Sequence, residues 1–322
     1  MGKPKVLVSS SAVPEAGLAR LRQECELVLV PGNRPTHETI VKHIPATGVD
    51  AIYWCSKYKL DAEVINAAGP GLRAVATMSA GYDHIDAGLL KQRGIPLGNT
   101  ANVLNDAVAD TAVALVLTVL RRLQEGRRML ERGLWVTGCP QFMLGLDVTG
   151  STVGIVGLGG IGQAFAKRIK AFNIGKLQYC GHKPKPEASA LGAEFVTFEE
   201  LVRTSDIIVL ACPLTPETKD LFNEDVFEKM KSTSILINVG RGGCIEQEAL
   251  VNALKNKKIW GAGLDVMTPE PIPPDHPLVT LENCVLFPHV GSATEGTRAA
   301  MAVLAAENIL CHLRGEPMPS PV

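Results

Sequence analysis

The sequence predicts an α/β protein built from two doubly wound parallel-sheet domains. Short apolar segments alternate with amphipathic segments along the chain, and this alternation begins afresh near residue 151. The length of 322 residues also exceeds what a single hydrophobic core usually supports. Because strands that alternate with helices pair in parallel through right-handed crossovers, each half of the chain is expected to form its own parallel sheet.

The first half of the chain predicts short, buried strands. Strands are expected at residues 5–9, 51–54, 74–77 and 96–98, and helices at residues 14–23, 61–68 and 87–93. A long apolar helix is expected over residues 105–123, where Arg121 and Arg122 precede Gly126. Residues 133–150 are expected to form an irregular loop or arm, because their aromatic, Gly and Pro residues follow no period.

The second half of the chain repeats the alternation more clearly. Strands are expected at residues 152–156, 176–180, 207–211, 234–239, 261–265 and 284–287. Helices are expected between them at residues 161–172, 197–204, 223–230 and 247–256. The last helix, over residues 294–313, follows the sixth of these strands, and we expect it to return to the N-terminal domain.

Composition and charge disfavour several classes of function. The formal net charge is −1, which gives no sign of a polyanionic partner, so nucleic-acid binding is not favoured. No apolar run is long enough to be a signal peptide or to span a membrane, and we expect a cytosolic protein. The eight cysteines stand singly and are expected to be reduced, packed thiols. No metal site is predicted, since His37, His43 and His312 have no partner ligands at the usual spacing.

A glycine-rich turn directly follows the strand predicted at residues 152–156. It reads Gly157-Leu158-Gly159-Gly160-Ile161-Gly162 and opens the next helix. In this context Gly157 permits the tight turn, Gly159 lets the backbone approach a pyrophosphate, and Gly162 allows close packing of helix and strand. The free N–H groups of the helix N-terminus attract an anion. The turn therefore predicts a dinucleotide site, with a glycine turn that binds nothing as the alternative.

The end of the following strand indicates which dinucleotide binds. An NAD site usually has an acidic residue about 20 residues after the glycine turn, to bind the ribose 2′-hydroxyl. Here the strand is followed by His182, Lys183, Pro184 and Lys185, without a carboxylate. A basic cluster suits a 2′-phosphate, so NADPH is predicted to be preferred and NADH remains possible. The alternative is a solvated basic turn.

Three polar residues lie past the carboxyl ends of later strands, where open α/β sheets bind ligands. Arg241 stands in a glycine-flanked turn, Glu270 between two prolines, and His289 after Phe287-Pro288. Reduction of a keto acid needs a cation for the carboxylate and a proton donor for the developing alkoxide, which a guanidinium and an imidazole can supply. Glu270 would orient His289 and favour its protonated form. Each residue taken alone is more often structural than catalytic.

Together these segments resemble the signatures of the D-2-hydroxyacid dehydrogenases. The resemblance rests on the glycine turn, Asn238-Val-Gly-Arg241-Gly, Gly263-Leu-Asp265-Val with Glu270, and Pro288-His289-Val-Gly-Ser292, in their expected order. Within this family the chain is most similar to the glyoxylate and hydroxypyruvate reductases, notably in residues 76–84, 291–294 and 313–319. The resemblance covers nearly the whole chain.

The resemblance implies a fold and a function. It implies a Rossmann cofactor domain, residues 104–292, inserted into a flavodoxin-like substrate domain of residues 1–103 and 293–322. It further implies NADPH-dependent reduction of glyoxylate to glycolate and of hydroxypyruvate to D-glycerate, by a homodimer. Two other functions stay open: another dehydrogenase of the family, of the phosphoglycerate or D-lactate type, and a cofactor-sensing interaction protein like the corepressors that share this fold.

The resemblance also assigns roles to single residues. Arg241 binds and polarises the substrate, His289 is the proton donor, and Glu270 is its partner. The backbone at Ala80 and Gly81, with Ser292, completes the substrate site. The cofactor is expected to contact the following residues: Gly157, Gly159, Gly160, Ile161, Gly162, His182, Lys183, Pro184, Lys185, Pro213, Val239, Asp265 and Gly291.

Overall fold

The structure is a computed structural model that describes residues 2–322. The chain divides into two compact units. One unit comprises the residues up to Leu104 together with Ser292–Val322, and the other comprises Asn105–Gly291. The second unit is therefore inserted in sequence between the two parts of the first.

Strands and helices are numbered along the chain. The strands are β1 (Lys5–Val8), β2 (Glu26–Leu29), β3 (Ala51–Trp54), β4 (Ala74–Thr77), β5 (Leu97–Gly98), β6 (Thr152–Val156), β7 (Lys176–Cys180), β8 (Glu194–Phe195), β9 (Ile207–Leu210), β10 (Ile235–Asn238), β11 (Gly261–Leu264) and β12 (Cys284–Leu286). The helices are α1 (Glu15–Arg22), α2 (His37–His43), α3 (Ala62–Ala67), α4 (Ala87–Gln92), α5 (Asn105–Leu120), α6 (Leu123–Glu131), α7 (Gly160–Ile169), α8 (Glu187–Leu191), α9 (Phe198–Thr204), α10 (Glu224–Lys229), α11 (Gln247–Lys255), α12 (Pro277–Thr280) and α13 (Glu295–Leu313).

The first unit is a parallel sheet in the order β2-β1-β3-β4-β5. This order is the flavodoxin-like form of the doubly wound fold. Strands β3 and β4 are buried along their whole length because apolar side chains cover both faces of the sheet. Helices α1 and α13 pack on one face, and α2, α3 and α4 pack on the other. The C-terminal helix α13 thus returns to the N-terminal part of the chain, as the sequence predicts.

The second unit is a parallel sheet in the order β12-β11-β10-β9-β6-β7-β8. The chain runs outward from β6 to β8 on one side and from β9 to β12 on the other, so the order reverses between β6 and β9. Open sheets of this kind bind ligands at the carboxyl ends of the strands beside such a reversal. The glycine turn follows β6 and therefore lies at that place. The predicted class of two parallel-sheet α/β domains is confirmed.

The predicted single helix over residues 105–123 is wrong at its end. Helix α5 stops at Leu120, Arg122 adopts a left-handed conformation with φ of 52°, and α6 begins at the next residue. The guanidinium of Arg122 donates two hydrogen bonds to Glu125, at 2.8 and 2.6 Å, which fixes this corner. Gly126, which suggested a helix end, lies inside α6. The arm over residues 133–150 contains no helix or strand, and that prediction is confirmed.

Short elements account for the remaining differences. The sequence pattern does not predict the short elements β2, β8, α2, α8 and α12. Strand β2 is an edge strand without a fully buried residue, and β8 contains two exposed residues, so neither shows a clear apolar pattern.

All eight cysteines are free thiols, and five of them are buried. No helix within residues 2–322 is both long and apolar enough to cross a membrane, and the cytosolic location stays a prediction.

Two helical glycines provide a test of the packing. A Cβ at Gly17 in α1 would lie 2.7 Å from the carbonyl oxygen of Ala302 in α13, whereas a Cβ at Gly88 in α4 would meet only Asp86 Oδ1, at 3.6 Å. Gly17→Ala should lower the free energy of unfolding by about 1–3 kcal/mol through overpacking. Gly88→Ala should raise it by up to about 1 kcal/mol through helix propensity. Urea unfolding followed by circular dichroism checks both, and shifts of the same sign would contradict this account of the α1–α13 contact.

Candidate active site

The glycine turn after β6 has the shape of a phosphate cradle. Gly157 has φ of 95°, and a Cβ there would lie 3.0 Å from the backbone of Cys212. A Cβ at Gly162 would overlap the carbonyl oxygen of Gly157, so both positions require glycine. At Gly159 a Cβ would meet no atom within 4 Å, which leaves open space beside the turn. These features fit the pyrophosphate of a dinucleotide.

Helix α7 offers its first N–H groups to that open space. Its N-cap is Gly159, so no side chain caps the first turn of the helix. Uncapped N–H groups and the positive end of the helix dipole both favour an anion. Gly160 faces the side chain of Asn105, the first residue of α5, and has no room for a Cβ. This contact, which the sequence pattern does not predict, packs the neighbouring helix α5 against the turn.

The turn after β7 is basic and exposed. His182, Lys183, Pro184 and Lys185 are all exposed, and the backbone N–H of Lys185 donates to the hydroxyl of Tyr179 at 2.8 Å. The sequence does not predict a carboxylate near this basic turn, but Glu217 interacts with it. The pKa of Glu217 is lowered, chiefly by a hydrogen bond with Thr215 and to a smaller extent by the charge of His182. One acidic residue, Glu217 in the loop after β9, therefore lies near enough to the basic turn to interact with its charge.

A buried carboxylate lies at the carboxyl end of β11. Asp265 is only 2% exposed and accepts the N–H of Val290 on Oδ1 and of Gly291 on Oδ2, both at 2.8 Å. Burial raises the pKa of Asp265, although these two hydrogen bonds act in the opposite direction. The carbonyl oxygen of Asp265 also accepts the N–H of His289, at 2.9 Å. Three consecutive N–H groups thus converge on one residue.

His289 and Glu270 are joined by a hydrogen bond. The distance between His289 Nδ1 and Glu270 Oε2 is 2.8 Å. Because a carboxylate only accepts, Nδ1 carries the proton of this bond, and Nε2 takes no part in it. The other oxygen of Glu270 accepts the N–H of Met267 at 3.1 Å. His289 itself has φ of 54°, a left-handed conformation that the sequence pattern does not predict.

Glu270 is held in its ionised form. Burial is the largest influence on its pKa and by itself would raise it. The hydrogen bond and charge of His289, the N–H of Met267 and the charge of Arg241 together outweigh burial, and the pKa of Glu270 falls below its usual value. At neutral pH a carboxylate therefore faces the imidazole of His289.

Arg241 lies in a turn that Asn238 fixes. Asn238 at the end of β10 is fully buried; its Nδ2 donates to the carbonyl oxygen of Arg241 at 2.8 Å, and its Oδ1 accepts the N–H of Gly240 at 3.0 Å. A Cβ at Gly242 would overlap the backbone of Met267. This packing brings the Arg241 turn against the loop that carries Glu270. The sequence pattern does not predict that Asn238 fixes this turn.

The other residues predicted to bind cofactor or substrate lie partly in the second unit and partly in the first. Pro213 follows β9 and Val239 follows β10, so both lie at the same sheet edge as Asp265. Gly291 is the last residue of the second unit and donates its N–H to Asp265. Ala80 and Gly81 lie in the loop after β4 of the first unit. Ser292 lies before α13, and within residues 2–322 no hydrogen bond joins it to Ala80 or Gly81. In the same part of the chain, no group of three or more His, Cys, Asp or Glu side chains is placed to hold a metal ion.

Comparison with known proteins agrees with this geometry. The family model described as "D-isomer specific 2-hydroxyacid dehydrogenase, NAD binding domain" matches residues 113–291. The human glyoxylate reductase/hydroxypyruvate reductase is 50% identical over 81% of this chain and 80% of its own. The glyoxylate reductase of Thermococcus kodakarensis is 43% identical over 99% of this chain and 96% of its own.

The chain belongs to the D-isomer specific 2-hydroxyacid dehydrogenase family. A solved structure of the NADPH-dependent glyoxylate/hydroxypyruvate reductase of Sinorhizobium meliloti, in complex with NADP and malonate, matches with a TM-score of 0.88 and 34% identity, over 100% of this chain and 97% of that one. The matched cofactor-binding domain of this dehydrogenase family falls within the second unit, which carries the glycine turn. The resemblance inferred from the sequence is confirmed.

Proposed function

We propose that this dehydrogenase catalyses the NADPH-dependent reduction of glyoxylate to glycolate and of hydroxypyruvate to D-glycerate. The observation that carries the proposal is the 2.8 Å hydrogen bond between His289 and Glu270, at the sheet edge that also holds the glycine turn. The names of the human, mouse and archaeal relatives support this substrate class. The residues of the proposed site also supply each group that the reaction needs.

Three side chains donate the proton, orient the proton donor and bind the charged group of the substrate. The nicotinamide, when bound, supplies the hydride. His289 holds a proton on Nε2 for the oxygen of the substrate carbonyl, while Glu270 fixes the ring through Nδ1. Arg241 binds the substrate carboxylate and polarises the carbonyl, because a guanidinium matches a carboxylate with two parallel hydrogen bonds. In the first unit, the N–H groups of Ala80 and Gly81, with Ser292, are proposed to bind the substrate carboxylate.

The cofactor is bound along the carboxyl edge of the second sheet. The residues from Gly157 to Gly162 bind the pyrophosphate, and His182, Lys183, Pro184 and Lys185 bind the 2′-phosphate. Pro213, Val239, Asp265 and Gly291 border the nicotinamide half. In this arrangement the second unit is the cofactor domain and the first is the substrate domain. The absence of a carboxylate from residues 181–186 supports the choice of NADPH over NADH.

The chain is also proposed to form a homodimer through α6 and the arm that follows it. None of the nine residues of α6 is fully buried, so the helix is only partly covered within its own unit. Large apolar side chains that are more than half exposed continue along this segment: Leu123, Leu130, Leu134, Trp135, Val136 and Leu144. Exposed large apolar side chains concentrated in one segment mark an interaction site, and a second copy with the same surface covers it symmetrically.

Replacement of the proton donor tests the mechanism. His289→Gln should lower kcat for glyoxylate by more than about 100-fold, the usual scale for a lost general acid, with little change in NADPH affinity. His43→Gln, at an exposed residue of helix α2, is the matched control and should retain wild-type kinetics. Oxidation of NADPH is followed with glyoxylate, hydroxypyruvate, pyruvate and 3-phosphohydroxypyruvate. Turnover of the latter two alone would indicate another dehydrogenase, and no turnover at all would indicate a cofactor-sensing protein.

Replacement of the basic turn tests cofactor choice. The double variant Lys183→Ala with Lys185→Ala should raise the KM for NADPH by about tenfold or more, because charge-assisted hydrogen bonds to the 2′-phosphate are lost. The KM for NADH should not change. Lys42→Ala, which removes an exposed lysine paired with Glu38, serves as the control. Equal losses with both cofactors, or a wild-type enzyme that prefers NADH, would refute the assignment of NADPH.

Light scattering during gel filtration tests the dimer. The wild-type chain should elute with twice its own mass. Trp135→Glu combined with Leu130→Glu should shift it toward one mass, because each change places a charge in the proposed interface. Val103→Glu, at an exposed apolar residue outside the patch, should leave the mass unchanged. A wild-type monomer, or a charged variant that stays dimeric, would show that this surface has another use.

A further inference from the structure

The loop after β4 has three consecutive carbonyl groups, and each accepts a hydrogen bond from within the first unit. The carbonyl oxygen of Ser79 accepts the backbone N–H of Thr100 at 2.9 Å. The carbonyl oxygen of Ala80 accepts the side-chain amide of Asn99 at 2.8 Å, and that of Gly81 accepts the hydroxyl of Ser79 at 2.7 Å. All three carbonyl groups are thus directed toward the protein.

These bonds also set the direction of the N–H groups. In a planar trans peptide the C=O of one residue and the N–H of the next point in opposite directions. The bond from Asn99 to the carbonyl oxygen of Ala80 therefore turns the N–H of Gly81 away from Asn99, and the bond from Thr100 does the same for the N–H of Ala80. Within residues 2–322, neither N–H donates to another backbone group. Both are left to bind an anion.

Asn99 is itself held by two other residues, one at its side chain and one at its backbone. Its Oδ1 accepts the hydroxyl of Ser320 at 2.8 Å, which leaves its Nδ2 directed at Ala80. The amide of the fully buried Asn308 donates to the backbone carbonyl of Asn99 at 2.8 Å, and its Oδ1 accepts the N–H of Ser320 at 2.8 Å. A Cβ at Gly98 would lie 2.6 Å from Asn308 Cγ, so Asn308 is packed directly against β5.

A second chain of hydrogen bonds supports the same loop. The hydroxyl of Ser79 donates to Gly81, so the 2.8 Å contact between Thr77 Oγ1 and Ser79 Oγ has Thr77 as its donor. His84 Nε2 then donates to Thr77 Oγ1 at 3.2 Å. His84 is thereby used within the loop, as a structural residue. The amide of Asn99 is the only one of these side chains, among those described, that bonds directly to Ala80.

We propose that Asn99, held by Ser320 and Asn308, is a positioning residue for substrate, because it aims the N–H of Gly81 at the substrate carboxylate. The inference rests on the proposed function, which places that carboxylate at Ala80 and Gly81. Asn99 lies in the sequence 18 positions after Gly81 and does not touch the substrate itself. It acts through the backbone, and its loss should therefore weaken carboxylate binding more than the chemical step.

Kinetics of Asn99→Ala provide the test. With glyoxylate at saturating NADPH, KM should rise about tenfold, the scale of one lost hydrogen bond, while kcat falls by less than about threefold and the KM for NADPH is unchanged. Oxalate, a dicarboxylate probe, should bind about tenfold more weakly in calorimetry with NADPH present. Asn283→Ala, which removes an amide that donates to two carbonyl groups in the second unit, is the matched control. It should leave all these values unchanged.

A second variant removes the dependence on one substitution. Ser320→Ala deletes only the hydroxyl that orients the Asn99 amide, at a partly exposed position, and should raise the KM for glyoxylate two- to threefold. If Asn99→Ala does not fold, this variant decides. Unchanged glyoxylate KM and oxalate binding in the folded variants, with an active wild type, overturn the role of Asn99 alone. A wild type that neither reduces keto acids nor binds oxalate overturns the proposed function as well.

Discussion

The buried carboxylate of Asp265 is the group on which the geometry of the second unit depends. Three consecutive N–H groups, from His289 to Gly291, donate to this one residue, two of them to its side chain. This convergence holds His289 in a left-handed conformation that a histidine seldom adopts. The same turn presents the imidazole to Glu270. A carboxylate that is only 2% exposed therefore determines where His289 stands.

In both units the side-chain amide of an asparagine fixes the direction of nearby backbone groups. In the second unit Asn238 joins the carbonyl of Arg241 to the N–H of Gly240, and in the first unit Asn99 joins Ala80 to the C-terminal segment. A buried side-chain amide can both donate and accept, so it can tie together two backbone segments without introducing a charge. Each of these asparagines directly follows or ends a strand. The rigid strand ends thereby determine the positions of loops that carry function.

The strong periodic segments and the glycine turn could be predicted from the sequence, because burial on both faces of a parallel sheet leaves continuous apolar runs. The grouping of Arg241, Glu270 and His289 required the family resemblance, since each residue alone has an ordinary structural explanation. The corner at Arg122 was missed because its left-handed conformation is held by Glu125, a local ion pair that no apolar pattern reports. The roles of Asn99 and Asn308 were missed because they join residues 209 positions apart.

The C-terminal residues cover the edge strand β5 of the first sheet. Strand β5 is the last strand of that sheet, and Pro321 pairs with Gly98 in antiparallel fashion while the N–H of Val322 donates to Leu97. An uncovered edge strand offers a template for pairing with other chains, and proline cannot extend a ladder because it has no N–H. By covering β5 with a segment that contains Pro319 and Pro321, the chain closes this edge against aggregation.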